Sequence, residues 1–148
     1  MFKKALFSAS IAAMSSFTGL AVETATVTNA WVRETKLGRS TAAYLNFKNI
    51  SDKAITLVAI GCSGFKLCEM HQTVSTNGNN HMEKLDRLII PPKKTIKFKP
   101  GGKHIMMISA QSHLHPDKQI VIDLQFASGK SLKVPINIKK FSYLPEDL

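Results

Sequence analysis

What the chain lacks narrows its function before any motif is considered. Its 148 residues contain two cysteines and one tryptophan, and acidic residues number 10 against 20 lysines and arginines. There is no C-x-x-C pair and no combination of nucleophile, base and orienting group, so covalent or thiol-exchange catalysis has no support. The net charge is +10, yet no Lys/Arg run is interleaved with aromatics, so nucleic acid is not the expected partner. No segment sustains a 3.6-residue apolar period, which argues against helices. Internal repeats, low-complexity tracts and a domain-splitting linker are all missing. Beyond the first twenty residues, no stretch is long and apolar enough to span a membrane.

The N-terminus reads as a leader. Lys3 and Lys4 precede ALFSASIAAMSSFTGLA, a modest apolar run that closes on small residues. Gly19 and Ala21 fit the −3 and −1 positions of a cleavage site. Residues 1–21 are therefore expected to be a secretory signal peptide, and 22–148 one exported, periplasmic domain without a stable membrane span. The run is shorter and richer in serine than the ~20 residues a retained anchor needs. Losing Lys3 and Lys4 lowers the net charge from +10 to +8. The remaining lysines are scattered among strand-like segments and read as solvated strand faces, with an acidic protein partner as the functional alternative.

Nine β-rich segments follow at roughly ten-residue spacing: TATVTNAWVRET, TAAYLNFKNI, AITLVAIG, KLCEMHQTV, HMEKLDRLII, TIKFK, KHIMMISA, QIVIDLQFA and SLKVPINIK. Asn77-Gly78 is the strongest hairpin signal, and Pro91-Pro92 is a break. The pattern predicts an all-β, antiparallel barrel or sandwich of about nine strands with Greek-key connections. Ala43, Leu45 and Phe47 should share a buried face, Trp31 should anchor the core, and the unpatterned tail KFSYLPEDL should be loosely held.

The chain is organised around Cys68–Met107. That stretch holds His71, His81 and His104, and every methionine beyond residue 20: Met70, Met82, Met106 and Met107. Thioether with imidazole is a poor catalytic set but a good ligand set for Cu(I). Strand alternation puts His104 and Met106 on one face, with Ile105 and Met107 on the other. The Asn77-Gly78 turn opposes Thr73 to Met82, so His71 lies diagonally across from Met82 on the same face. Met70 and Met107 fall on the opposite face and read as core filler. The candidate ligands are therefore His71, Met82, His104 and Met106.

The spacing H-x10-M-x21-H-x-M resembles the pattern of the periplasmic copper chaperone family PCuAC. AWVRET, TAAYLNFKN and KPGGKHIMMI resemble its opening strands, its glycine turn and its ligand strand, and the likeness runs from Thr26 to Lys139. The resemblance implies a cupredoxin-like β-barrel, a Cu(I) site of two histidines and two methionines, and a non-enzymatic role. It also implies delivery of copper to the CuA centre of cytochrome c oxidase, with that oxidase's copper subunit or another copper chaperone as partner. Methionine suits such a task, because it remains a ligand where a pair of thiolates would be lost to a disulfide.

Two features depart from the family pattern. Cys62 and Cys68 are extra. Export and a turn-like GCSGF between them favour a disulfide, the rival being a free Cys68 near His71. The tail contains neither His nor Met, so no tail-based second site is expected. His81, His113 and His115 are either solvated or weak contacts for Cu(II) or Zn(II). Two other function classes remain open: a copper-dependent thiol oxidoreductase using the two cysteines, and a metal-free β-sandwich that binds a partner through its basic face.

Overall fold

A computed structural model describes residues 21–22 and 24–146. Of the expected leader, residues 1–21, all but Ala21 lie outside them. The described part contains eleven strands in one sheet and no helix. They are β1 (Ala21–Val22), β2 (Ala25–Arg33), β3 (Thr41–Asn49), β4 (Ile55–Cys62), β5 (Phe65–Thr76), β6 (Asn79–Leu85), β7 (Leu88–Ile90), β8 (Thr95–Phe98), β9 (Lys103–Ala110), β10 (Gln119–Phe126) and β11 (Ser131–Lys139). The hydrogen-bonded order is β6-β5-β9-β8-β3-β2-β11-β10-β4-β7, with β9 also pairing β3. Pairing is antiparallel except between β11 and β2 and at one residue pair between β8 and β9.

Each ladder buries alternate residues, because successive strand side chains point to opposite faces. In β11, Leu132, Val134, Ile136 and Ile138 are buried while the residues between them are exposed. Ala43, Leu45 and Phe47 share the core face as expected. Trp31 is buried too, but it stands apart from the main core, tilted against Tyr44 at 4.6 Å and edge-on to Tyr143 at 5.0 Å. The tail is correspondingly better held than its sequence suggests. Arg33 donates to the Phe141 carbonyl, Glu34 accepts from the Phe141 N–H, and Lys139 sits over the Tyr143 ring.

One expected strand divides in two. HMEKLDRLII bends at Asp86-Arg87, so β6 pairs with β5 while β7 pairs with β4. Those partners lie near opposite ends of the sheet order, and one straight strand cannot serve both. The chain thus crosses from one end of the sheet to the other twice, at β4–β5 and at β6–β7, and the sheet rolls up along that seam.

Cys62 and Cys68 form a disulfide across the seam, with Cα atoms 6.1 Å apart, and no free cysteine remains. This spacing is usual for a bridge. The closed loop is short, so its chain-entropy contribution is only about 2 kcal/mol. Replacing both cysteines by alanine should lower the melting temperature by roughly 6–10 °C. Calorimetry that finds no change would show that the bridge adds nothing to stability.

Candidate metal centre

The candidate residues lie on the outer face of β5, β6 and β9. In β5, Cys68 and Met70 point inward and are buried, so Glu69, His71 and Thr73 point outward. In β9, Ile105 and Met107 are fully buried, and His104 and Met106 take the other face. Met70 and Met107 therefore pack in the core, where strand alternation places them.

The ladders set these residues against one another. His71 is the direct cross-strand partner of His104, and Glu69 that of Met106. Across the Asn77-Gly78 turn, Thr73 opposes Met82 and His71 opposes Lys84. Asn77 has φ 51° and Gly78 φ 78°. Two positive φ values in succession define the type I′ turn that matches strand twist, and Asn-Gly tolerates them best. His71 and Met82 are thus diagonal neighbours on one face. Met106 is half-buried, whereas Met82, on the edge strand, is 60% exposed.

Hydrogen bonding around the two imidazoles is incomplete. His104 is only 4% exposed, and its Nδ1 lies 3.1 Å from the Gly102 carbonyl. His71 Nε2 lies 2.9 Å from Glu69 Oε2, and Lys84 Nζ lies 3.0 Å from Glu69 Oε1. The hydrogen bond from His71, and then the one from Lys84, hold the Glu69 carboxyl below its ordinary range. The other nitrogen of each ring, His71 Nδ1 and His104 Nε2, is buried without any partner. Buried polar atoms nearly always have a partner, so two orphans on facing residues call for an explanation.

The ring centres are 5.8 Å apart. A metal–imidazole bond of about 2.0 Å puts a ring centre about 3.1 Å from the ion, so two rings sharing an ion lie about 5.1–6.2 Å apart for tetrahedral to linear angles. The pair fits that window. Among the described residues no three His, Cys, Asp or Glu side chains group around a possible metal. Beside the imidazoles, the soft donors on this face are the thioethers of Met106 and Met82.

The other histidines stand apart. His81 is on the opposite face of β6 from Met82, exposed and 3.1 Å from Glu83. His113 and His115 are exposed, their rings 5.7 Å apart, on either side of the buried Leu114, which bridges to Thr35. Glu69, Lys84 and the Gly102 carbonyl were not singled out from sequence. The i, i+2 spacing of Glu69 and His71 on a strand is the signal that finds the first of them.

This architecture is the cupredoxin-like β fold of PCuAC domains. It superposes on the copper-bound PCuAC domain from PmoF2 with a TM-score of 0.68 at 16% identity, covering 81% of this chain and 96% of that one. The solution structure of CuI-DR1885 from Deinococcus radiodurans matches with a TM-score of 0.63 at 25% identity, over 81% of this chain and 83% of that one. Residues 25–138 match the family described as "Putative lipoprotein LpqE-like", and the chain belongs to that family. Among its relatives, "Putative lipoprotein Lxx21020" of Leifsonia xyli subsp. xyli (strain CTCB07) is 31% identical over 78% of this chain and 70% of its own length. "Uncharacterized protein RP573" of Rickettsia prowazekii (strain Madrid E) is 30% identical over 74% of this chain and 62% of its own.

Proposed function

We propose that this chain is an exported Cu(I)-binding metallochaperone, with His71, Met82, His104 and Met106 as ligands and no catalytic activity of its own. The observation that carries this reading is the pair of buried, unpartnered nitrogens on His71 and His104. A soft monovalent ion explains them, because the donors beside them are thioethers. The copper named for the PmoF2 domain and for DR1885, which share this fold, supports the reading.

The layout suits a carrier. Three donors, His71, His104 and Met106, are buried or half-buried and one, Met82, is exposed on an edge strand. A thioether binds less tightly than a thiolate, so the Met82 side is where an acceptor's ligand could enter and displace it. The acceptor in this proposal is the copper subunit of cytochrome c oxidase or another copper chaperone in the periplasm.

Competition against a Cu(I)-specific chelator tests the site. One Cu(I) should bind per chain, and His104→Ala should weaken binding about a hundredfold, near one quarter of a four-ligand binding energy of about 10–16 kcal/mol. No uptake by the wild-type chain would end the proposal. Transfer to an apo CuA domain, followed by its absorption spectrum, tests the finer claim about the acceptor.

A further inference from the structure

His71 and His104 are gripped by opposite nitrogens. The Gly102 carbonyl can only accept, so its 3.1 Å contact requires the proton on His104 Nδ1 and leaves the lone pair on Nε2. Glu69, tied to Lys84 at 3.0 Å, is a carboxylate and also only accepts. Its 2.9 Å contact requires the proton on His71 Nε2 and leaves the lone pair on Nδ1. The two lone-pair nitrogens deduced in this way are the same two ring atoms that are buried without a partner.

We infer that Glu69 is a positioning residue for the metal, and that copper is taken by His71 through Nδ1 and by His104 through Nε2. The inference rests on the Cu(I) reading above and adds to it the roles of two neighbours and the identity of each donor atom. A carboxylate on the far nitrogen of a ligating imidazole fixes the ring's orientation and tautomer and makes it a stronger donor. Gly102 does the same for His104 with a backbone carbonyl, so no side-chain substitution at that position removes the contact. Glu69 is thus the one of the two supports that a side-chain substitution can take away. Lys84 lies on the same face of β6 as Met82, so the Glu69–Lys84 pair also ties the edge strand that carries the exposed thioether. At 56% exposure, Lys84 contributes little energy through that pair alone.

Long-range 1H–15N correlation NMR on the whole domain reads the donor atoms directly. The apo chain should carry the proton on Nε2 of His71 and on Nδ1 of His104. Adding Cu(I) should shift His71 Nδ1 and His104 Nε2. In Glu69→Gln the amide can either donate or accept, so the His71 proton should divide between both nitrogens. Cu(I) affinity of that variant should fall about 10–100-fold with the fold intact. Lys84→Met leaves Glu69 in place and should keep the wild-type proton pattern. Protons on the same nitrogen of both rings, a copper shift at His71 Nε2, or a Glu69→Gln affinity within twofold of wild type would each overturn the inference. A wild-type chain that binds no Cu(I) overturns the proposed function as well, whereas wild-type binding with the protons on the same nitrogen of both rings overturns this inference alone.

Discussion

Replacing both outward methionines, Met82→Leu with Met106→Leu, should weaken Cu(I) binding about ten-thousandfold, against about a hundredfold for either alone. The scale follows from about 3 kcal/mol per donor in a four-ligand site. Leucine matches methionine in size and apolarity, so it removes the sulfur lone pair and little else. The controls lie on β9, beside Met106, and on β5, which carries His71. Met107 follows Met106 directly in β9 but is fully buried, and Met70 in β5 is 3% exposed. Met70→Leu and Met107→Leu should cost under about 1.5 kcal/mol of stability and leave affinity within twofold. Because Met106 and Met107 differ only in the face they occupy, a chelator competition that ranks them equally would refute the assignment of faces. Met82 is the sharper test, since at 60% exposure its replacement can hardly disturb the core.

Much of this face was legible in the sequence because it depends on two short-range rules. Alternation placed His104 with Met106 and turned Met70 and Met107 inward, and the Asn77-Gly78 turn fixed the Thr73–Met82 register that the ladder displays. The direct opposition of His71 and His104 was not legible. It depends on β5 choosing β9 as its second neighbour across more than thirty residues, and no local signal states that choice. The division of HMEKLDRLII was missed for a related reason. Its apolar residues fit one strand, and only the closing of the sheet demands that its two halves go to different partners. Trp31 and the tail show a third limit. A large buried aromatic announces burial but not what buries it, and here the cover is a segment with no pattern of its own. Glu69 and Lys84 looked like ordinary surface charges, and only the cross-strand register gives them a common task.

Asn49→Asp should be among the most destabilising single changes in the domain, although the two side chains have nearly the same shape. Asn49 ends β3 and is fully buried. Its Nδ2 donates toward the carbonyls of Lys53 at 2.7 Å, Ile90 at 3.0 Å and Pro91 at 3.2 Å. Its Oδ1 accepts from the Ser51 N–H at 2.9 Å and hydroxyl at 2.8 Å. One side chain thereby joins the end of β3, the following turn and the end of β7, where the chain returns from the seam. Asn49→Ala leaves those groups without partners and should cost about 2–3 kcal/mol. Aspartate does worse, because it sets a second oxygen against three carbonyl oxygens and buries a charge. About 3–5 kcal/mol is expected, measured as a fall in the urea midpoint at neutral pH. The carbonyls and the burial favour the protonated acid, so the folded-state pKa of Asp at this position lies above the unfolded ~3.9. The folded variant then holds the proton more tightly than the unfolded chain, and its stability rises as pH falls toward that range. The deficit relative to wild type should therefore be smaller at pH 4 than at pH 7. A deficit independent of pH would mean that the lost donor, and not the buried charge, accounts for the cost.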